Sequence, residues 1–296
     1  MVRRYIVTGR DGQVARSLME RASGKSDLNI LPLGRPEFDL AVPEKIAAAI
    51  EAARPDLIIS LAAYTAVDKA ESEEAQAFIV NGQSPGIIAA TASQLGVPLV
   101  HLSTDYVFDG EKTSPYVETD TVAPLSVYGR SKLAGEKAIA AATADYAILR
   151  TAWVYSPFGQ NFVRTMLRLA DTRNGVNVVA DQIGNPTSAF DIAEGILAVA
   201  ENLLHSDSAD LRGIFHMTAA GVASWADFAT EIFRQSAQHG GPSALVNRIT
   251  TEEYPTPARR PKNSRLDCRK LSDFHGVALP TWEGSAELVV RSLLAG

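Results

Sequence analysis

Short runs of branched aliphatic residues alternate with longer alanine-rich amphipathic stretches along the first half of the chain, and that rhythm admits few folds. Tyr5–Thr8, Asn29–Leu33, Leu57–Leu61, Leu99–Ser103 and Ala147–Arg150 read as strands buried on both faces, as in a parallel sheet. Between them, Gly12–Arg21, Pro43–Ala53, Pro85–Leu95 and Val127–Ala142 read as helices. Pro43 and Pro85 stand in first turns, where a missing N–H costs nothing. Strand–helix alternation of this kind predicts an α/β, doubly wound parallel sheet. Right-handed crossovers then gather the strand C-termini on one edge, where ligands bind.

Beyond about residue 155 the rhythm changes. Asn161–Asp171 and Ser188–Leu204 read as helices, Ile214–Thr218 as a strand able to return to the sheet, and Ser224 as an N-cap. Tyr254-Pro255-Thr256-Pro257-Ala258-Arg259-Arg260-Pro261 is too proline-dense for helix or central strand. It suits a linker, or a rigid extended segment whose Arg259 and Arg260 grip an anionic substrate. The expected organisation is a nucleotide-binding domain over residues 1–155, with a returning segment near 183–218. Residues 156–182 and 219–296 would form a smaller, interleaved substrate domain.

Composition narrows the classes of function. The chain has 296 residues, a net charge of −6 and no concentrated Lys/Arg block, so nucleic acid is not an expected partner. Cys268 is the only cysteine, which excludes an intrachain disulfide and a cysteine metal cluster. No apolar run approaches the length of a membrane span, and the N-terminal apolar stretch is too short for a secretory signal. A cytoplasmic, soluble protein is expected, as a monomer or homodimer.

The first strand runs into Thr8-Gly9-Arg10-Asp11-Gly12-Gln13-Val14-Ala15. Gly9 and Gly12 permit a tight turn and close backbone approach, and the helix that follows offers free N–H groups to a pyrophosphate. Ala15 takes the third small position, so the pattern is G-x-x-G-x-x-A in place of G-x-G-x-x-G. This is the phosphate turn of a Rossmann-type sheet. At the end of the second strand stands Arg35, where an acidic residue would select NAD. An arginine there favours the 2′-phosphate of NADP. Asp39, followed by Leu40, suits the adenine amine, and Ala62, Ala63 and Tyr64 let a cofactor pass close to the backbone.

Tyr128 and Lys132 stand four residues apart on the helix after the fourth strand, and Thr104 lies at that strand's end. A free tyrosine has a pKa of about 10, and a lysine one helical turn away stabilises the phenolate. Thr104 would grip the oxygen on which the tyrosine acts, so the three suit proton transfer to a carbonyl during hydride transfer. Tyr-x-x-x-Lys alone equally suits a solvent-facing pair, and only the surrounding motifs favour chemistry. Asp105 is followed by Tyr106 and not by glutamate, so no adjacent pair of carboxyls stands there. His101 reads as a satisfied core histidine and Trp225 as a packing residue.

Longer runs carry a finer likeness: Ala62 to Glu71, Ser103 to Gly110, Tyr128 to Glu136, Arg150 to Tyr155, Asp181 to Thr187 and Arg260 to Leu266. In this order they resemble the dTDP-4-dehydrorhamnose reductase family of the extended short-chain dehydrogenases/reductases, nearly end to end. The resemblance implies reduction, by NADPH with NADH as a second donor, of the C4 ketone of a dTDP-linked 4-keto-6-deoxy sugar. It implies that Tyr128 protonates the C4 oxygen, that Lys132 holds the nicotinamide ribose, and that Thr104 polarises the carbonyl. Asp105, Val67 and Trp153 would lie against the sugar nucleotide, with Arg260 on its diphosphate. Gly9, Arg10, Asp11, Gly12, Gln13 and Val14 would cradle the pyrophosphate; Asp39, Leu40, Ala62, Ala63 and Tyr64 would line the adenosine side. Some relatives hold a magnesium ion between carboxylates, but Ser17 and Phe190 occupy the nearest positions, so no metal is expected. Two other readings compete: a non-catalytic regulatory subunit, like the beta subunit of methionine adenosyltransferase, and a nucleotide-sugar epimerase with tightly bound NAD.

Overall fold

The computed structural model describes residues 2–295. Six parallel strands form the central sheet: β1 (Arg3–Thr8), β2 (Leu28–Leu33), β3 (Leu57–Ser60), β4 (Leu99–Thr104), β5 (Tyr146–Thr151) and β10 (Gly213–His216). Their spatial order is β10-β5-β4-β3-β1-β2, and β1 pairs with both β2 and β3. The chain therefore reverses its direction of winding at β1, and a crevice opens there at the strand C-termini.

Alternate side chains of each strand serve opposite faces. Tyr5, Val7, Leu57, Ile59, Val100 and Leu149 pack with Leu18, Ile192 and Ile196 against α1 (Gln13–Ala22) and α8 (Ala189–His205). Ile6, Ile58 and Ile148 pack with Ile50, Ile88 and Ile139 against α2 (Ile46–Ala53), α5 (Ser84–Leu95) and α6 (Val127–Ala142). Both faces are covered, which is why these strands read as near-continuous apolar runs. The expected elements are present to within a few residues at their ends, and Ile214–Thr218 does return to the sheet as β10, beside β5.

Between β3 and α5 the chain is more structured than its sequence suggests. Short helices α3 (Val67–Ala70) and α4 (Glu74–Phe78) run through a π turn at Ile79–Gln83 into α5. The widened turn carries Asn81 against α6, where Gly135 approaches so closely that any Cβ would collide with the Asn81 carbonyl oxygen.

A second core joins Tyr155, Val163, Val178, Phe228, Ile232 and Val289. It is built from α7 (Phe162–Ala170), α9 (Trp225–Gln238), α11 (Trp282–Ala295) and a parallel pair, β7 (Gly175–Val179) with β12 (Leu245–Ile249). Two further two-stranded pairs, β6 (Val154–Tyr155) with β9 (Thr187–Ser188) and β8 (Ile183–Gly184) with β11 (Ala223–Ser224), stitch this layer to the sheet edge. Helix α10 (Arg269–His275) packs back near β10. Ser224 caps α9 as expected, in a reciprocal box with Asp227. Tyr254–Pro261 forms neither helix nor strand.

Candidate active site

A cleft of about 1010 Å³ lies along the C-terminal ends of β1, β3 and β4 and reaches the second layer at Trp153 and Gln160. Its lining includes Gly9 to Val14, Arg35, Asp39, Leu40, Ala62, Ala63, Tyr64, Val67, Thr104, Asp105, Tyr128, Lys132 and Trp153. The residues read as cofactor-contacting and as catalytic thus share one cavity.

At the cofactor end, Gly9 adopts φ +91°, a left-handed conformation that favours glycine, and donates its N–H to the Leu33 carbonyl over 2.7 Å. Gly12 begins α1 without a side-chain cap, so the first helical N–H groups remain available to an anion. A Cβ on Gly9 would stand 3.4 Å from Ala62, and one on Gly34 only 2.9 Å from Arg10. The turn, helix end and small residues fit a dinucleotide. Gln13 contributes its side chain elsewhere: Ser156 Oγ and Asn161 Nδ2 each donate to its Oε1 over 2.9 Å, tying the turn to the second layer.

The Arg10 guanidinium folds over Gly34 and pairs with Glu37 at 2.9 Å, and Arg35 lines the same cleft. Asp39 Oδ1 accepts from the Ala41 N–H over 2.9 Å, holding the loop that presents Leu40. Thr8 Oγ1 accepts from the N–H groups of Leu61 and Ala62 at 3.0 and 3.1 Å. Asn81 grips both the N–H and the carbonyl of Tyr64, at 2.8 and 3.0 Å, and donates to Ser131 Oγ. Thr8 and Asn81 were not among the sequence-derived candidates. Their roles depend on which loops meet, which spacing along the chain does not reveal.

At the catalytic end, Thr104 Oγ1 donates to Asp105 Oδ1 over 2.9 Å and accepts from the Tyr106 N–H. Asp105 Oδ2 is buried without a partner. Burial pushes the Asp105 carboxyl up to about 7, against the hydrogen bonds that favour its charged form. Burial likewise pushes Tyr128 up to about 12; the Thr104 hydroxyl opposes that rise and the Asp105 charge adds to it. The expectation that Lys132 draws the phenol's pKa down is therefore corrected. Lys132 turns toward the sheet, donating to the Leu102 carbonyl over 2.8 Å and meeting His101 Nε2 at 3.2 Å. Burial lowers the ammonium to about 8, while Glu136 works to raise it.

Behind Lys132 lies a buried ion pair. Glu136 accepts from Arg150 Nε at 2.9 Å, from Arg150 Nη2 at 2.7 Å and from Ser103 Oγ at 2.5 Å. Trp153, at φ +48°, faces the cleft and stacks on Trp225 with ring centroids 3.6 Å apart. Trp225 is thus more than remote packing. Arg260, expected on the substrate diphosphate, lies outside the cleft lining and is held by Asp68 at 2.8 Å. Ser17 is buried in α1, and Phe190 lies under the Arg21 guanidinium at 4.6 Å. Among the described residues, no group of three or more His, Cys, Asp or Glu is placed to hold a metal ion.

A doubly wound sheet, a glycine turn at the switch of winding, a threonine at the end of β4 and a tyrosine and lysine on α6 define an extended short-chain dehydrogenase/reductase. Comparison with known proteins narrows the class. The model of the RmlD substrate binding domain matches residues 3–294. A dTDP-4-dehydrorhamnose reductase of Sinorhizobium fredii is 55% identical over 98% of this chain and 98% of its own. The solved structure of a dTDP-4-dehydrorhamnose reductase from Clostridium acetobutylicum superimposes with a TM-score of 0.91 at 37% identity, covering 98% of this chain and 99% of that one. A Bacillus anthracis counterpart in complex with NADP gives a TM-score of 0.90 at 34% identity, covering 99% of this chain and 100% of that one. The chain belongs to the dTDP-4-dehydrorhamnose reductase family.

Proposed function

We propose that the chain reduces the C4 ketone of dTDP-4-dehydro-L-rhamnose to dTDP-L-rhamnose with NADPH, using Tyr128 as the proton donor. The observation that carries this reading is one continuous cleft joining the phosphate turn at Gly9–Gly12 to Thr104, Asp105 and Tyr128. NADPH supplies the hydride when bound. As the C4=O π bond opens, its electron pair moves to oxygen and Tyr128 delivers a proton there. A phenol whose pKa is raised stays protonated at neutral pH, which suits a donor. Thr104 turns its hydroxyl to the same oxygen and stabilises the developing charge. The ammonium of Lys132 holds the nicotinamide ribose and supplies positive charge behind Tyr128. Asp105, beside Thr104, lies next to the sugar, and Val67 and Trp153 frame the sugar nucleotide. The second layer, with Trp225 behind Trp153, forms the substrate side.

The direct test is NADPH consumption with dTDP-4-dehydro-L-rhamnose, followed by identification of the sugar product. Replacing Tyr128 by Phe is expected to lower turnover at least about tenfold with NADPH binding largely kept, because only the proton donor is lost. Near-normal turnover in that variant would remove Tyr128 from its role.

A further inference from the structure

The Lys132 ammonium has three donors, and two of them are committed to β4. One goes to the Leu102 carbonyl and the other to His101 Nε2. His101 is wholly buried, and its other ring nitrogen, Nδ1, stands 3.0 Å from Ser60 Oγ. Ser60 and His101 are register partners on neighbouring strands, as are Ser103 and Arg150. The sheet therefore presents a polar patch to α6. Tyr128, Lys132 and Glu136, spaced one turn apart, form the helical row that covers it.

From this arrangement we infer that His101 is a positioning residue for the reduction. It is fixed as the neutral tautomer carrying its proton on Nδ1, so that Nε2 accepts from Lys132 and aims the remaining ammonium donor into the cleft. The inference rests on the proposed role of Lys132. An imidazole facing an ammonium can only accept, so Nδ1 must be the donor, and Ser60 is placed to receive it. Burial and the Lys132 charge both keep the ring uncharged. An apolar side chain such as leucine, which cannot accept, would strand one buried ammonium donor.

The titratable and charged groups around this contact are Tyr128 and Glu136 on α6, Arg150 on β5 and Asp105 after β4. Glu136 is taken up by Arg150 and Ser103, which leaves His101 as the side-chain acceptor bonded to Lys132 among the described residues. Removing a neutral acceptor from a buried ammonium disfavours its charged form, and the ammonium pKa falls.

Two substitutions separate the parts of the contact. In His101→Gln the amide oxygen reaches the position of Nε2 and keeps an acceptor for Lys132. In His101→Asn the shorter amide reaches Ser60 alone. The alkaline limb of kcat/KM is expected to move to lower pH by about one unit in His101→Asn and to stay near its original place in His101→Gln. Equal limbs in the two variants, or a uniform loss of kcat with no movement of the limb, would overturn the inference. Lys132→Met is the control on the underlying reading: full activity there would sink the role of Lys132 and leave the tautomer assignment untouched. If the His101 variants do not fold, selective 15N labelling of the native protein's five histidines decides the matter. The buried ring should show the Nδ1–H signature from about pH 6 to 8 (roughly one unit on each side of neutrality), and an Nε2–H or doubly protonated pattern refutes the proposal.

Discussion

The Thr104 hydroxyl donates to Asp105 Oδ1 over 2.9 Å, leaving Asp105 Oδ2 buried and unpartnered at the end of β4. A carboxyl in that position is held up at about 7, well above its value in an unfolded chain. Between pH 4 and pH 7 (about the two ends of that shift) the folded protein retains a proton that the unfolded chain has lost.

Stability should therefore fall as pH rises through that window, because the native state binds the extra proton. Asp105→Asn removes the effect. Its melting temperature is expected to fall less than that of the native protein between acid and neutral pH, as scanning calorimetry at matched ionic strength would read. The same variant should raise KM for the sugar nucleotide, since an amide no longer offers a charged acceptor. Parallel pH profiles for the two proteins would show that Asp105 is not the titrating group.

The Arg10–Glu37 pair sets a second expectation, on cofactor choice. Glu37 pairs with the Arg10 guanidinium in the cleft that Arg35 also lines. Glu37→Gln frees Arg10 and is expected to tighten NADPH while leaving NADH nearly unchanged. Arg35→Asp should weaken NADPH far more than NADH, by like-charge repulsion against the phosphate. Equal changes for both cofactors in titrations of the two variants would place the 2′-phosphate elsewhere.

The β-α rhythm was legible because strands buried on both faces have no polar side to show, and Ile6, Ile58 and Leu149 stand in unbroken apolar runs. The phosphate turn was legible for a related reason: Gly9 and Gly12 meet a local backbone need. What the sequence concealed depends on partners distant along the chain. Arg260 looked free until Asp68, 192 residues away, was found to hold it. His101 is a satisfied core histidine, as expected, but its contact with Lys132 follows from the register of β4 beneath α6. The β7–β12 ladder escaped notice because Leu245–Ile249 is short and mostly exposed, so it lacks the apolar run of a central strand.

The Trp153–Trp225 stack predicts a substrate effect that originates outside the cleft. The two rings lie within 6° of parallel, so Trp225 covers one face of Trp153. An aromatic pair contributes about 0.5–1.5 kcal/mol beyond its buried area. Trp225→Ala should raise KM for the sugar nucleotide roughly two- to tenfold, with little change in NADPH affinity. The near-ultraviolet circular dichroism of the stacked pair should weaken in the same variant. A loss shared equally by both ligands would mean that the stack supports the fold and not the substrate side.

The Glu136–Arg150 pair makes the sharpest stability prediction. Each side chain is 2% exposed, and both oxygens of the carboxylate are bonded to the guanidinium. Water is excluded, so neither charge tolerates the loss of the other. Glu136→Gln should destabilise the fold by about 3–5 kcal/mol, because it leaves Arg150 buried without a counter-charge. Adding Arg150→Met should recover part of that loss, since it removes the stranded charge. The Glu136 charge also helps keep Lys132 protonated, so the single variant should lose activity at lower pH than the native protein. Denaturant titration of the single and double variants reads the first effect and a pH–rate profile the second. A double variant no more stable than Glu136→Gln would show that the cost lies in packing and not in an unpaired charge.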